Sequence, residues 1–218
     1  MEWNFAAVFE HFGYLMAGAV VTVQVSALSM VIAIVLGLVV ALVRMAPIVV
    51  LRMIASVYID IFRSTPLLAQ LVWIYFAFPI LTGIRVTPFV ACTISLSLYA
   101  SAYLAEIYRA GILSIASGQR HAGLALGMTP RQVLTRIVLP QAVTRMLPPM
   151  GSQFITLFKD SALVSLVTLQ DLMWSAQSLA AFTLRTVEVL TVVAFIYMAL
   201  TIPQAFIVNR LHRRFGVD

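Results

Sequence analysis

The sequence predicts an all-α, polytopic membrane protein with five transmembrane helices. Three observations carry that reading. Of the 218 residues, 62% are hydrophobic and only 10% charged; mean hydropathy is +1.02; and several apolar runs approach or exceed the roughly twenty residues that cross a hydrocarbon core of about 30 Å. Residues 1–218 read as a single transmembrane domain that contains one cytoplasmic loop, residues 117–140.

The opening stretch, MEWNFAAVFEHFGYLM, is acidic ahead of a long apolar run. A cleaved leader would start basic and carry a shorter core, so a retained first span over residues 13–43 is expected. The following PIVVLRMIASVYIDIF is apolar but interrupted by Arg52 and Asp60. This pattern suits a segment lying along the interface before the chain turns inward at Arg63 to Pro66. Further spans are predicted over 64–82, 88–110, 146–168 and 186–208, separated by short polar or Pro/Gly breaks.

The break before the fourth span, GQRHAGLALGMTPRQVLTRIVLP, has the marks of two short helices. Gln119 to Leu126 favours helix and Gly127 suits a left-handed terminator. Thr129, Pro130 and Gln132 supply the N-cap, the first-turn proline and the third-position partner of a capping box. Pro140 is expected to stop the second helix. Val133, Leu134, Ile137 and Val138 recur at helical spacing, giving an apolar face from which Arg131 and Arg136 point away. A flexible linker has no need of such caps.

Arginines set the expected orientation. Arg44, Arg52, Arg109, Arg120, Arg131, Arg136, Arg145, Arg210, Arg213 and Arg214 fall on one side of this topology, and Arg85 and Arg185 on the other. Ten against two puts the amino terminus outside and the carboxyl terminus in the cytoplasm. The same arginines account for the net charge of +6; with no basic run or aromatic-interleaved surface, nucleic-acid binding is not expected. Cys92, the single cysteine, lies in an apolar run and reads as a small buried residue. His11, His121 and His212 are scattered, so no metal site is expected, and no Ser/His/Asp set is evident. Without a G-x-x-x-x-G-K-[ST] loop the chain is not expected to be an enzyme or to hydrolyse ATP itself.

Gly127, nine residues, then Ile137-Val138-Leu139-Pro140 resembles the EAA loop of binding-protein-dependent ABC importer permeases. IFRSTPLLAQLVWIYFAFP, AYLAEIYRAGILSIASGQ, LGMTPRQVLTRIVLPQA and LPPMGSQFITLFKDSALVS, in that order, resemble landmarks of the polar amino acid and opine branch, the histidine, glutamine, glutamate and cystine type. They cover about half the chain. The resemblance implies a type I ABC importer permease (MetI-like) fold in a bacterial inner membrane. It also implies partners: an ATP-binding cassette ATPase dimer, a second permease subunit, identical or paralogous, and an external solute-binding protein. The solute would be an amino acid or opine-like compound. His121, Ala122, Gly123, Gly127, Met128, Thr129, Pro130 and Arg131 would couple to the ATPase. His121 departs from the family pattern, which usually has glutamate there, and this bears on the strength of that contact.

By the same resemblance the solute path is lined by Leu67, Tyr99, Ser152, Gln153 and Thr156. Gln153, Thr156 and Asp160 share a helical stripe, whereas Lys159 and Asp160, as direct neighbours, point apart and each needs a partner elsewhere. Glu106 and Arg109, three residues apart, are expected to pair. The alternative reading is a self-sufficient secondary transporter or channel with a purely structural cytoplasmic hairpin. Such a protein would show inverted repeats; none is evident, and five spans do not divide into equal halves.

Overall fold

The computed structural model describes residues 5–215, so the acidic start at Glu2 lies outside the described residues. Every element among them is helical. A short α1, Ala6–Glu10, leads into α2, Phe12–Arg44, which packs along α6, Pro88–Leu113, as the central pair. Lipid tails are as apolar as leucine, so helices in a membrane associate through close approach and hydrogen bonds. Both are present. A Cβ at Gly37 would stand 2.9 Å from Leu104 Cβ and from the Ser101 carbonyl oxygen. Ser29 Oγ donates to the Thr93 carbonyl and Ser97 Oγ to the Ser29 carbonyl, each at 3.3 Å.

Between these helices the chain makes a corner. α3, Val49–Ser64, and the run formed by α4, Leu67–Val72, a π turn, Trp73–Ala77, and α5, Phe78–Thr82, meet at 104°. Thr65 is extended, as a residue ahead of proline must be. The Gln70 amide fastens the corner by donating to the Phe62 and Thr65 carbonyls, both at 3.0 Å. The turn falls where Arg63 to Pro66 predict it.

The two short helices of the predicted loop are α7, Ser117–Ala125, and α8, Pro130–Val133. Pro140 does not stop the second. α8 continues through a π turn, Leu134–Val138, into α9, Leu139–Asp160, so Pro140 sits in the first turn of α9. The expectation of a helix end there is corrected for a physical reason. The Leu139 N–H reaches back five residues to the Leu134 carbonyl, and this widened turn resets the register just where proline lacks a donor and crowds the preceding turn.

α2, α6 and α11, Thr186–Phe215, are long and apolar enough to cross a membrane, and the bent pair adds a fourth span if counted as one. The expected fourth span coincides with α9 and the 3₁₀ segment Ser161–Val167 that follows. α9 has the length, but its prolines, Gln153, Arg145, Lys159 and Asp160 leave it less apolar than the other three. The count of five therefore rests on a helix that length alone qualifies.

α10, Leu172–Thr183, closes the far end against α2 and α11. Asp171 caps it, Oδ1 accepting from the Trp174 N–H at 2.9 Å. Its other oxygen is buried without a hydrogen-bond partner. Burial pushes this carboxyl up to about 6, against the pull of the Trp174 and Met173 N–H groups.

Candidate functional site

The 117–140 hairpin is built by local chemistry at each end of its bend. Gly127 adopts φ +78°, which only glycine takes at no cost. Its N–H bonds to the Leu124 carbonyl at 3.0 Å, and the Met128 N–H to the Gly123 carbonyl at 3.1 Å. Together they make a Schellman ending for α7. Two residues on, the Gln132 N–H donates to Thr129 Oγ1 at 3.3 Å while the Thr129 N–H donates to Gln132 Oε1 at 2.9 Å, completing the predicted capping box.

The limbs pack where Gly123 faces Val133 and Ile137. A Cβ at Gly123 would approach Ile137 Cδ1 to 2.8 Å and Val133 Cγ2 to 2.9 Å. Val133 and Val138 point into the core. Arg120 Nη2 donates to the Ile112 carbonyl at 3.1 Å, tying α7 to α6, and Arg145 Nη1 of α9 donates to the Ser114 carbonyl at 2.6 Å just past the end of α6. His121, Ala122, Gly127, Thr129, Pro130 and Arg131 remain exposed, with Met128 half-buried. Leu126 is 82% exposed and Leu124 46%. The hairpin thus shows an apolar surface with a histidine and an arginine beside it, on a bend that is rigid because both its caps are satisfied.

α9 carries the second group of predicted residues. Ser152 and Thr156 are exposed, their hydroxyls donating to the Pro148 carbonyl at 3.2 Å and the Ser152 carbonyl at 3.1 Å within the helix. Gln153 is half-buried, and its Nε2 is enclosed with no hydrogen-bond partner. Tyr99, on α6, packs against Tyr103 with ring centroids 4.9 Å apart and the rings tilted by 51°, and Arg63 lies over the Tyr103 ring at 5.2 Å. Leu67 lies in the core, 7% exposed. α6 packs against both α4 and α9, so the five belong to neighbouring helices. None of them lines the cavity of about 600 Å³ beside Lys159, or that of about 550 Å³ beside Gln70.

Glu106 pairs with Arg109 at 2.8 Å as expected, and also with Arg44 at 3.2 Å. Sequence reasoning missed Arg44. Its signal was present, since Arg44 and Arg109 both end apolar runs on the same side of the predicted topology. Neither Lys159 nor Asp160 enters a salt bridge among the described residues.

Residues 33–217 match the family described as binding-protein-dependent transport system inner membrane component. The chain is 34% identical over 218 residues to the glutamine transport system permease protein GlnP of Escherichia coli (strain K12), all of both chains being covered. It superposes with a TM-score of 0.94 and 33% identity on a chain of an amino acid ABC transporter solved with histidines, covering 98% of this chain and 100% of that one. A chain of the inward-facing MetNI methionine ABC transporter shares the fold, with a TM-score of 0.78 at 23% identity over 95% of this chain and 99% of that one.

Proposed function

This chain belongs to the binding-protein-dependent transport inner membrane family, and from that premise we propose that it is the permease subunit of an ATP-driven importer for a polar amino acid or opine-like compound. It is a multi-pass inner-membrane protein. The amino terminus lies outside and the hairpin in the cytoplasm, where a separate ATPase dimer grips His121 to Arg131. A second permease subunit, identical or paralogous, faces the Ser152, Gln153 and Thr156 side of α9, and an external binding protein delivers the solute. Tyr99 narrows the path with its ring and offers a hydroxyl; Leu67 backs it from the core. ATP binding in the partner biases a two-state equilibrium that the membrane subunits share.

One observation carries this reading. The exposed, doubly capped hairpin stands at the end of a helix that runs without interruption to Gln153. A purely structural hairpin would bury Leu126 and Leu124, which here are left open. Lys159 and Asp160, which enter no salt bridge among the described residues, likewise suit a surface completed by another subunit. Mild detergent extraction of the tagged chain should bring down an ATPase whose hydrolysis, after reconstitution, rises with the loaded binding protein. Uptake by the chain alone, driven by an ion gradient, would refute the reading.

A further inference from the structure

Four guanidinium groups surround one cavity of about 810 Å³ that no transport step requires. Arg44 ends α2, Arg52 stands on α3, Arg109 is in the last turns of α6 and Arg120 on α7. Glu106, bridging Arg44 and Arg109, is the one carboxylate that pairs with any of the four among the described residues. The site thus keeps a surplus of positive charge. It also keeps unspent donors: Arg44 Nη1 and Arg120 Nε are buried with no hydrogen-bond partner. Enclosed guanidinium N–H groups without an acceptor are costly, and the acceptor they fit best is a planar or tetrahedral oxyanion that takes two at once.

The rest of the wall is apolar. Met45, Ile112 and Leu113 line it with Val49, Met53 and Val57 of α3. Val49, Met53, Val57 and Leu113 are each more than half exposed, so the cationic floor opens onto a hydrocarbon-compatible flank. α3 starts beside the Arg44/Arg109 end of the α2/α6 pair and runs along α6, where Tyr58 reaches Leu98 and Ser101, with apolar residues on its outer side. A charged recess continuous with an apolar outer wall, at the membrane boundary, matches one kind of molecule: an amphiphile with an anionic head.

We propose that this cavity binds the phosphodiester headgroup of an anionic phospholipid, the four arginines holding the phosphate and the flank of α3 and Leu113 receiving the acyl chains. Inorganic phosphate would satisfy the arginines alone and an acidic protein segment would leave the flank bare. A zwitterionic lipid would bring an ammonium into a site that already has excess positive charge. The site is separate from the solute path, and its occupancy neither needs nor implies the transport reading.

Native mass spectrometry of the purified full chain, titrated with dioleoylphosphatidylglycerol and separately with dioleoylphosphatidylcholine, tests this. Retention of the glycerol lipid over the choline lipid is expected, with little displacement by excess inorganic phosphate. Arg52→Gln should weaken phosphatidylglycerol binding about fivefold, and adding Arg120→Gln should bring the loss to about 25-fold, from the contribution of one cation near an anionic headgroup. Arg213→Gln, on the distant end of α11, should change nothing. Equal retention of the two lipids, displacement by phosphate, or an unaltered affinity in the folded Arg52→Gln chain would overturn the proposal. If a variant does not fold, the wild-type comparison of lipids and phosphate decides alone. Loss of the lipid preference once the ATPase is bound would assign the arginines to that partner's carboxylates and also overturn it.

Discussion

Replacing Gly127 with valine tests the hairpin at its weakest point. At φ +78° a side chain on an L-residue meets its own following carbonyl, which costs about 1–2 kcal/mol, and a β-branched one no less. A Cβ there meets nothing else within 4 Å, so the penalty is wholly that of the backbone. Stiffening the unfolded chain returns less than about 1 kcal/mol, and the spans, whose contacts are untouched, should still insert. A deficit of about 1–2 kcal/mol lowers the ratio of docking-shape to distorted hairpins by about five- to thirtyfold. In proteoliposomes containing the ATPase and binding protein, solute moved per ATP hydrolysed should fall accordingly. Gly127→Asn, whose side chain tolerates the left-handed region, should retain most of it. A valine variant that transports with the wild-type ratio would refute the reasoning, because it would show that the bend can change shape without consequence.

Thr129→Ala removes one half of the capping box and should cost about 1 kcal/mol, read as faster amide exchange at Gln132 and Val133. Glu106→Gln leaves Arg44 and Arg109 without their shared anion; partial exposure reduces the loss to about 2 kcal/mol, measurable as a lower thermal midpoint in detergent. Gln153→Glu should shift solute preference toward cationic amino acids, and an unchanged competition profile would remove Gln153 from the path. Asp171→Asn tests the buried cap. Since the folded carboxyl titrates near 6 rather than near 4, the native state holds the extra proton between those values, and wild-type stability falls as pH rises through that window. Above pH 6 the full penalty, about 3 kcal/mol, is present, and the asparagine variant should be more stable by that amount and melt higher. Below pH 4 the two should converge, and a constant difference across pH would contradict the assignment.

Much of this molecule was legible because its signals are local. The α3 corner follows from Pro66, the Schellman end from Gly127 and the capping box from Thr129 and Gln132. Each acts within a few residues, and each appears as expected. Pro140 failed because the rule that proline ends a helix assumes an unaltered ladder before it. A π turn changes the ladder, and nothing in LTRIV announces one. The Arg44 partner of Glu106 and the burial of Asp171 against Gly18 join residues far apart in the chain; the shared side of the topology pointed to the first, and nothing local pointed to the second. The candidate lining residues divide in the same way. Sequence spacing places Ser152, Gln153 and Thr156 on one helix, but only packing shows that Leu67 is enclosed while Ser152 and Thr156 are open.

The wide turn at Leu134–Val138 has an effect on aim as well as on continuity. It welds the cytoplasmic bend to the membrane helix as a single spar about 45 Å long from Pro130 to Asp160, so a tilt imposed at one tip arrives at the other undivided. The extra residue it holds also sets the compass bearing of everything beyond it. Forcing the five residues of LTRIV into ordinary α geometry, with none removed, would turn Ser152, Gln153 and Thr156 by about 90° about the axis, leaving the spar intact but pointing its polar edge at the wrong neighbour.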